Sequence, residues 1–341
     1  MQRKLASIQV IHDVQPIQGA DAIECVSVLG WKCVVKKGEF KRLDLCVYFE
    51  VDSFLPVRDV FEFLRSSSYK KTNLMGEGFR IKTCKLRGQL SQGLALPLSI
   101  LTEDIRQQIE KQDCRGLDVS ASLDVKKWET EVSGNQSWNK KGEFPYFVPK
   151  TDEQRIQSAP ELIEELSGKP YFITTKMDGT SFTAFKNGEG FGVCTRNMEI
   201  HEDDSVFWLL AKKHDLENKI EGYAVQGEVC APKIQKNHLK LREPELFVFS
   251  IYDLSKGQFL SFEDYKKKIA DWCLFCCPIE EEGEEFSYSM DELIERAKGV
   301  YPSGNKKEGI VIRPQNELYS PTLSGRLSFK IINNEFLLKE D

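Results

Sequence analysis

Apolar and polar residues alternate in short runs from Ala6 to Leu98, with turn-forming residues between them. Residues 8–14 alternate, residues 16–21 (Pro-Ile-Gln-Gly-Ala-Asp) interrupt the pattern, and residues 25–35 resume it before Lys37-Gly38 turns the chain. Residues 45–51 form a further apolar run closed by Asp52 and Pro56. A period of two puts alternate side chains on one face, so these runs predict strands. Short strands joined by glycine-containing turns predict a small closed barrel.

The pattern changes near residue 99. Residues 101–112 have the spacing of a short amphipathic helix. Residues 121–142 are polar, with Trp128 and Trp138 as isolated anchors, and read as part of a connector. Beyond Phe144, helices are predicted at 159–168, with Pro160 in the first turn and Gly168 at the end, and at 205–216, 261–270 and 290–297. Strands are predicted at 171–176, 223–230, 246–254, 307–313 and 326–332. The chain therefore divides into a barrel (1–100), a connector (101–143) and a mixed α+β part (144–341).

The C-terminal strands carry polar exceptions. Lys176 ends an apolar run and is followed by Asp178 and Gly179, a placement that predicts a strand, a tight turn and a second strand. Such a lysine is an amine nucleophile when its surroundings favour the neutral form, and otherwise a surface lysine on a hairpin. Arg196 follows a strand end in Thr195-Arg196-Asn197. Glu228 interrupts the apolar run 223–230, where a carboxylate needs a cation or a hydrogen-bond donor. Glu308 opens a strand beside Gly309, and Lys330 sits among apolar residues. Phe247 and Phe249 read as core or as a stacking surface for a nucleobase. Lys150 and Arg155 bracket a polar loop, and Arg155 could fork onto phosphate. Six charged interruptions, at Lys176, Asp178, Arg196, Glu228, Glu308 and Lys330, point to one cleft lined from several strands.

Composition narrows the picture. The chain has 341 residues, 40% of them apolar and 29% charged, which suits a globular protein of two domains. A net charge of −6 argues against a protein that coats polyanions along its whole surface, yet 47 Lys and Arg leave room for a local basic groove. On the barrel, Arg80 and Lys82 are expected on one face of a strand and Lys85 and Arg87 on another, a basic ribbon of the kind by which oligonucleotide-binding barrels follow a nucleic-acid backbone. The N-terminus lacks the apolar core of a signal peptide, and no run of 18 apolar residues occurs, so an intracellular setting, cytoplasmic or nuclear, with no membrane partner is expected. Of ten cysteines, Cys273, Cys276 and Cys277 have a Cys-x-x-Cys spacing but no second ligand pair at zinc-like distance, so they are read as reduced core residues.

In order along the chain, Lys176-x-Asp178-Gly179, Thr195-Arg196-Asn197, Glu228, Phe247-Val-Phe249, Glu308-Gly309-Ile-Val and Phe329-Lys330 resemble motifs I, Ia, III, IIIa, IV and V of the covalent nucleotidyltransferases. These are the RNA and DNA ligases and the mRNA capping enzymes. A barrel precedes this part, none follows motif V, and Lys150 to Arg155 bridges the two. With Lys85-Leu-Arg87-Gly-Gln-Leu-Ser-Gln-Gly93, this layout resembles the fifth family of ATP-dependent RNA ligases over nearly the whole chain except the connector.

The resemblance implies an OB-like β-barrel followed by an ATP-grasp-like nucleotidyltransferase domain of antiparallel sheets flanked by helices. It implies ATP and Mg²⁺ (or Mn²⁺), a monomer, and a nicked RNA duplex or RNA-containing hybrid as substrate. Lys176 would become lysyl-AMP, with its pKa depressed by the metal and by Lys330. Asp178, Glu228 and Glu308 would hold the ion, Glu228 instead or also taking a ribose hydroxyl. Phe249 rather than Phe247 would stack on adenine, Arg196 would bind phosphate or ribose, and Arg155, with Lys150, would orient pyrophosphate. Where relatives carry lysines two apart in motif V, this chain has Ser328 before Lys330, leaving Lys330 to act alone or with Arg326. A GTP-dependent capping-type guanylyltransferase and a catalytically inactive RNA-binding protein are the alternatives.

Overall fold

In the computed structural model, which describes residues 3–129 and 139–338, Ala6–Pro16 is a long strand paired antiparallel with Ile23–Val28 and with Leu45–Phe49. The sheet runs Leu94–Leu96, Leu45–Phe49, Ala6–Pro16, Ile23–Val28, Trp31–Lys36. Its two ends meet: the Gln92 amide donates to the Lys32 carbonyl at 2.7 Å, and the Val34 amide donates to the Ser91 hydroxyl at 3.0 Å. The barrel is thereby nearly closed, which leaves little free sheet edge. The run at 25–35 is a hairpin rather than one strand, because Leu29 takes a left-handed φ of 52° and reverses the chain at Leu29-Gly30. Alternation then fills two cores: Ile11, Val26, Val28, Trp31, Cys33 and Tyr48 on one side, and Ile8, Val47, Phe49, Leu55 and Phe79 on the other.

The chain forms two compact units, Met1–Gly134 and Asn135–Asp341. The helix Glu103–Lys111 and the segment after it, expected within the connector, belong by packing to the first unit. Leu101, Val119, Leu123 and Val125 join the core of Val47 and Phe49, and the Gly116 amide donates to the Ile8 carbonyl at 2.7 Å. Trp128 packs 5.3 Å from Phe54, centroid to centroid, whereas Trp138 lies outside the described residues.

The second unit holds two main sheets. The first runs Lys140–Glu143, Met198–Ile200, Gly190–Cys194, Thr180–Asn187, Tyr223–Cys230, Glu245–Asp253, Gln258–Phe259. The second runs Gln154–Arg155, Phe329–Ile332, Gly309–Pro314, Tyr171–Lys176, Ile279–Gly283. Nearly all pairs are antiparallel; Gln154–Arg155 with Phe329–Ile332 is a parallel exception. Helices Val206–Lys213 and Phe262–Asp271 cover the first sheet through Phe207, Leu210, Phe262 and Ile269, packed on Phe182, Val225 and Val248. Helices Glu161–Leu166 and Met290–Arg296 cover the second through Leu162, Leu166 and Leu293, packed on Ile173, Ile310, Ile312, Phe329 and Ile331.

All ten cysteines are free thiols. Cys277 is buried and Cys276 half-buried, but Cys273 departs from the core expectation: it is exposed, at φ 53° in the turn after Phe262–Asp271. No described helix is long and apolar enough to cross a membrane.

Candidate active site

The strand ending at Lys176 and the strand beginning at Thr180 do not pair with each other. Tyr171–Lys176 lies in the second sheet and Thr180–Asn187 in the first, so Met177-Asp178-Gly179 is a crossing between sheets and not the turn of a hairpin. Gly179 serves close approach: a Cβ there would stand 2.3 Å from the Val229 carbonyl oxygen. Gly309, opposite Lys176 in the ladder, combines φ 151° with a Cβ position 2.0 Å from the Ile331 carbonyl oxygen. Neither place accepts a larger residue without moving backbone.

Period-two alternation sends Ile173, Ile310, Ile312, Phe329 and Ile331 into the outer core and leaves Lys176, Thr174, Val311 and Lys330 on the opposite face. Lys176 Nζ meets Glu308 Oε2 at 2.7 Å. Tyr301 ties these residues by their backbones, its hydroxyl donating to the Lys176 carbonyl at 2.7 Å and accepting the Glu308 amide at 3.0 Å. Asp178 is buried, and its Oδ2 lies 2.6 Å from His238 Nδ1. Glu228 enters from the first sheet, opposite Ser181 and Phe247. Phe247 and Phe249 turn away from Leu246, Val248 and Ile251 in that sheet's core, toward Met177, Cys230 and Tyr301.

The electrostatics follow from this crowding. Burial works to neutralise Lys176, but Glu308, Glu228 and Asp178 outweigh it and hold the ammonium above the ordinary lysine range. The chain's own carboxylates thus move Lys176 in the direction opposite to the depression expected from a metal and Lys330. Lys330 is the depressed one, brought down to about 7 by burial, Lys176 and Arg155. Burial, with Glu308 and Asp178 nearby, pushes Glu228 up to about 7. Burial raises Asp178 as well, against the pull of His238.

Among the described residues no three His, Cys, Asp or Glu side chains form a ready metal cage. Asp178 is turned to His238 and Glu308 to Lys176. The donors are nonetheless hard oxygens, and burial holds two of the three carboxyls above their usual range. This set fits a hydrated Mg²⁺ or Mn²⁺ held partly through its waters.

Other expected residues are less central. Arg155 pairs with Lys330 across the parallel strands. Arg196 is exposed and bonded to Asp152. Lys150 is exposed, with Nζ 6.0 Å from the Phe144 ring centroid. Arg326 stacks 3.8 Å over Phe259 and donates to Ser250 at 3.1 Å, and Ser328 is buried. On the barrel the basic ribbon is broken. Arg80 pairs with Asp52 at 3.0 Å and lies over Trp128, and Lys82 is half-buried beyond the strand end. Lys85 and Arg87 are exposed on the hairpin of Cys84–Leu86 and Gln89–Ser91, with Arg87 at φ 50° in its turn. Sequence reasoning missed Tyr301, His238 and Arg313. The last is a guanidinium only 2% exposed that donates to Glu153 at 2.7 Å and lies 5.6 Å from the Phe249 ring.

A nearly closed barrel, joined in one chain to a two-sheet unit with a lysine among carboxylates where the chain changes sheets, is the build of a polynucleotide nucleotidyltransferase. An OB-fold domain model matches residues 5–98, and an RNA ligase model matches residues 169–332. Three solved structures of Naegleria gruberi RNA ligase are similar to this chain. A lysine-to-alanine variant with ATP and Mn is 34% identical, with 99% of each chain covered and a TM-score of 0.88. A glutamate-to-alanine variant with AMP and Mn is 34% identical, with 99% of each covered and a TM-score of 0.87. The complex with pyrophosphate is 34% identical, with 98% of each covered and a TM-score of 0.87. No curated protein matches. The chain belongs to the RNA ligase family.

Proposed function

We propose that this protein is an ATP-dependent RNA ligase that seals 3′-hydroxyl/5′-phosphate nicks through a lysyl-AMP intermediate and an adenylated 5′-end. The observation that carries the reading is Lys176 within reach of Glu308, with Asp178, Glu228 and Lys330 converging from both sheets. ATP, here a substrate, accords with the ATP, AMP and pyrophosphate complexes of the similar ligase.

In the first step neutral Lys176 attacks the α-phosphorus of ATP, forming a P–N bond as pyrophosphate leaves. The proton must go first, and Glu308, bonded to Nζ, is placed to take it. A divalent ion held by Asp178, Glu228 and Glu308, when bound, supplies the positive charge that lowers the lysine pKa and offsets phosphate charge. Lys330 steadies the α-phosphate oxygens, Phe249 stacks on adenine, and Arg155 orients the departing pyrophosphate. Arg196 binds phosphate or ribose, which requires that it leave Asp152; Lys150, exposed beside Phe144, assists from its loop. In the second step AMP passes to a 5′-phosphate, and in the third a 3′-hydroxyl displaces it. The barrel unit (1–100 with the segment after it) binds the duplex near the nick through Lys85 and Arg87, aided by Lys82 and Arg80. The protein acts as a monomer on nicked RNA or an RNA-containing hybrid.

The test is incubation with a divalent ion and α-labelled ATP or GTP. ATP label on the protein, lost in Lys176→Ala, supports the ligase; GTP label points to capping, and no label sinks both. Lys176→Ala should still seal a pre-adenylated nick, since that step needs no lysyl-AMP.

A further inference from the structure

Arg155 is carried by a strand of only two residues, Gln154–Arg155, held at one edge of the second sheet by its parallel neighbour. So short a strand does not fix a side chain by backbone pairing alone. What precedes it does more. The pairs Arg155↔Lys330 and Val311↔Lys330 define a cross-strand row; two residues along from each lie Glu153, Ser328 and Arg313, of which Glu153 and Ser328 stand just outside the paired strands. Alternation puts both rows on the cleft face. Arg313 and Glu153 are separated by two strand spacings, roughly 10 Å. They nonetheless meet, Nη2 to Oε1 at 2.7 Å. The buried residue between them, Ser328, is short enough to be spanned; a long side chain there would fill the row. Arg313 is braced under the Phe249 ring, and Glu153 is mostly buried, with a side chain 16% exposed. Arg313 Nε and Nη1 are buried without a hydrogen-bond partner.

We propose that Arg313 and Glu153 form a clamp across Ser328 that fixes Arg155 beside Lys330, making them positioning residues for the adenylylation of Lys176. The clamp rests on the reading of Arg155 as the residue that orients pyrophosphate. It acts on the step that releases pyrophosphate and not on sealing, where none leaves. Ser328 then has its own purpose: it opens the path between the two charges.

The experiment is single-turnover labelling with α-labelled ATP at saturating nucleotide and Mg²⁺, beside sealing of a pre-adenylated RNA nick. The variants are Glu153→Gln, Arg155→Ala, their double, and Glu153→Gln/Arg313→Gln, which removes both charges of the pair together. Displacing a positioning group by about 1 Å can cost about 100-fold. Glu153→Gln and Glu153→Gln/Arg313→Gln should therefore label about 10–100-fold more slowly, yet seal within roughly twofold of the parent. Glu153→Gln/Arg155→Ala should be no slower than Arg155→Ala alone, because Glu153 acts through Arg155. Multiplying defects, or sealing that falls with labelling, would overturn the clamp. Slow Arg155→Ala with a normally labelling Glu153→Gln/Arg313→Gln overturns the clamp alone. Parental labelling in Arg155→Ala overturns the pyrophosphate role and the clamp together.

Discussion

The hydroxyl of Tyr301 donates to the carbonyl of Lys176 at 2.7 Å, and the same oxygen accepts the amide of Glu308 at 3.0 Å. One side chain thus ties Lys176, the proposed nucleophile, to its nearest carboxylate by holding their main chains. Tyr301→Phe keeps the ring and removes both bonds, at about 1 kcal/mol each. Labelling by ATP should slow by at least about tenfold. Melting should fall by roughly 2–4 °C per kcal/mol lost. Single-turnover labelling and calorimetry on the same preparation measure both.

His238 holds Asp178 by a 2.6 Å contact, and its own carbonyl accepts from Ser303 at 2.6 Å and Asn305 at 2.8 Å. It orients a carboxylate assigned to the metal. His238→Ala should raise the Mg²⁺ concentration for half-maximal labelling by about 10–100-fold, the usual loss when such a supporting bond goes. A metal titration of labelling rate reads this directly.

Glu228 and Lys330 give opposite pH signatures in the metal-free protein. Glu228 is raised to about 7, so the folded state holds its proton more tightly than the unfolded chain does. Its ionisation weighs against folding above pH 7 and not below the ordinary carboxyl range. Glu228→Gln should melt above the parent at pH 8, with the gap closing by about pH 4–5. Lys330 is lowered to about 7, so its charge weighs against folding below pH 7. Lys330→Met should gain most at pH 6 and lose the advantage toward about pH 10. Thermal melts across pH, in chelator, test both signs.

Lys85 and Arg87 stand exposed on their hairpin, whereas Arg80 is engaged by Asp52 and Trp128. Removing each exposed charge should weaken binding to a nicked duplex uniformly across sequences and flatten the salt dependence by about one unit of slope per lost phosphate contact. Arg80→Ala should weaken binding less than loss of either exposed charge and should also lower barrel stability, since it breaks the contacts to Asp52 and Trp128. Fluorescence anisotropy at several salt concentrations separates the two.

The charged cleft was legible because charge is conspicuous in an apolar strand. Lys176, Glu228 and Lys330 interrupt runs that otherwise alternate, and Asp178 and Glu308 each stand beside a glycine that allows close backbone approach. Tyr301 and His238 gave no such signal. They lie in irregular segments, and what they do depends on contacts to residues 125 and 60 positions away. The hairpin expected at Lys176 fails for a related reason. Lys-Met-Asp-Gly reads alike whether the next strand folds back or changes sheets, and the partners that decide it, Gly309–Pro314 and Tyr223–Cys230, are distant in sequence. The segment after residue 101 looked like a connector because its apolar anchors, Leu101, Val119, Leu123 and Val125, are too widely spaced to show a period.

Phe329–Ile332 puts Phe329 and Ile331 into the outer core and Lys330 into the cleft. Slippage of this strand by one residue would reverse both, exchanging grease for charge on each face at once. The register that builds the core is therefore the one that sets Lys330 in the cleft. A chain that misaligned at this strand would lose its core together with Lys330 in the cleft, so misaligned copies should be unstable as well as inactive.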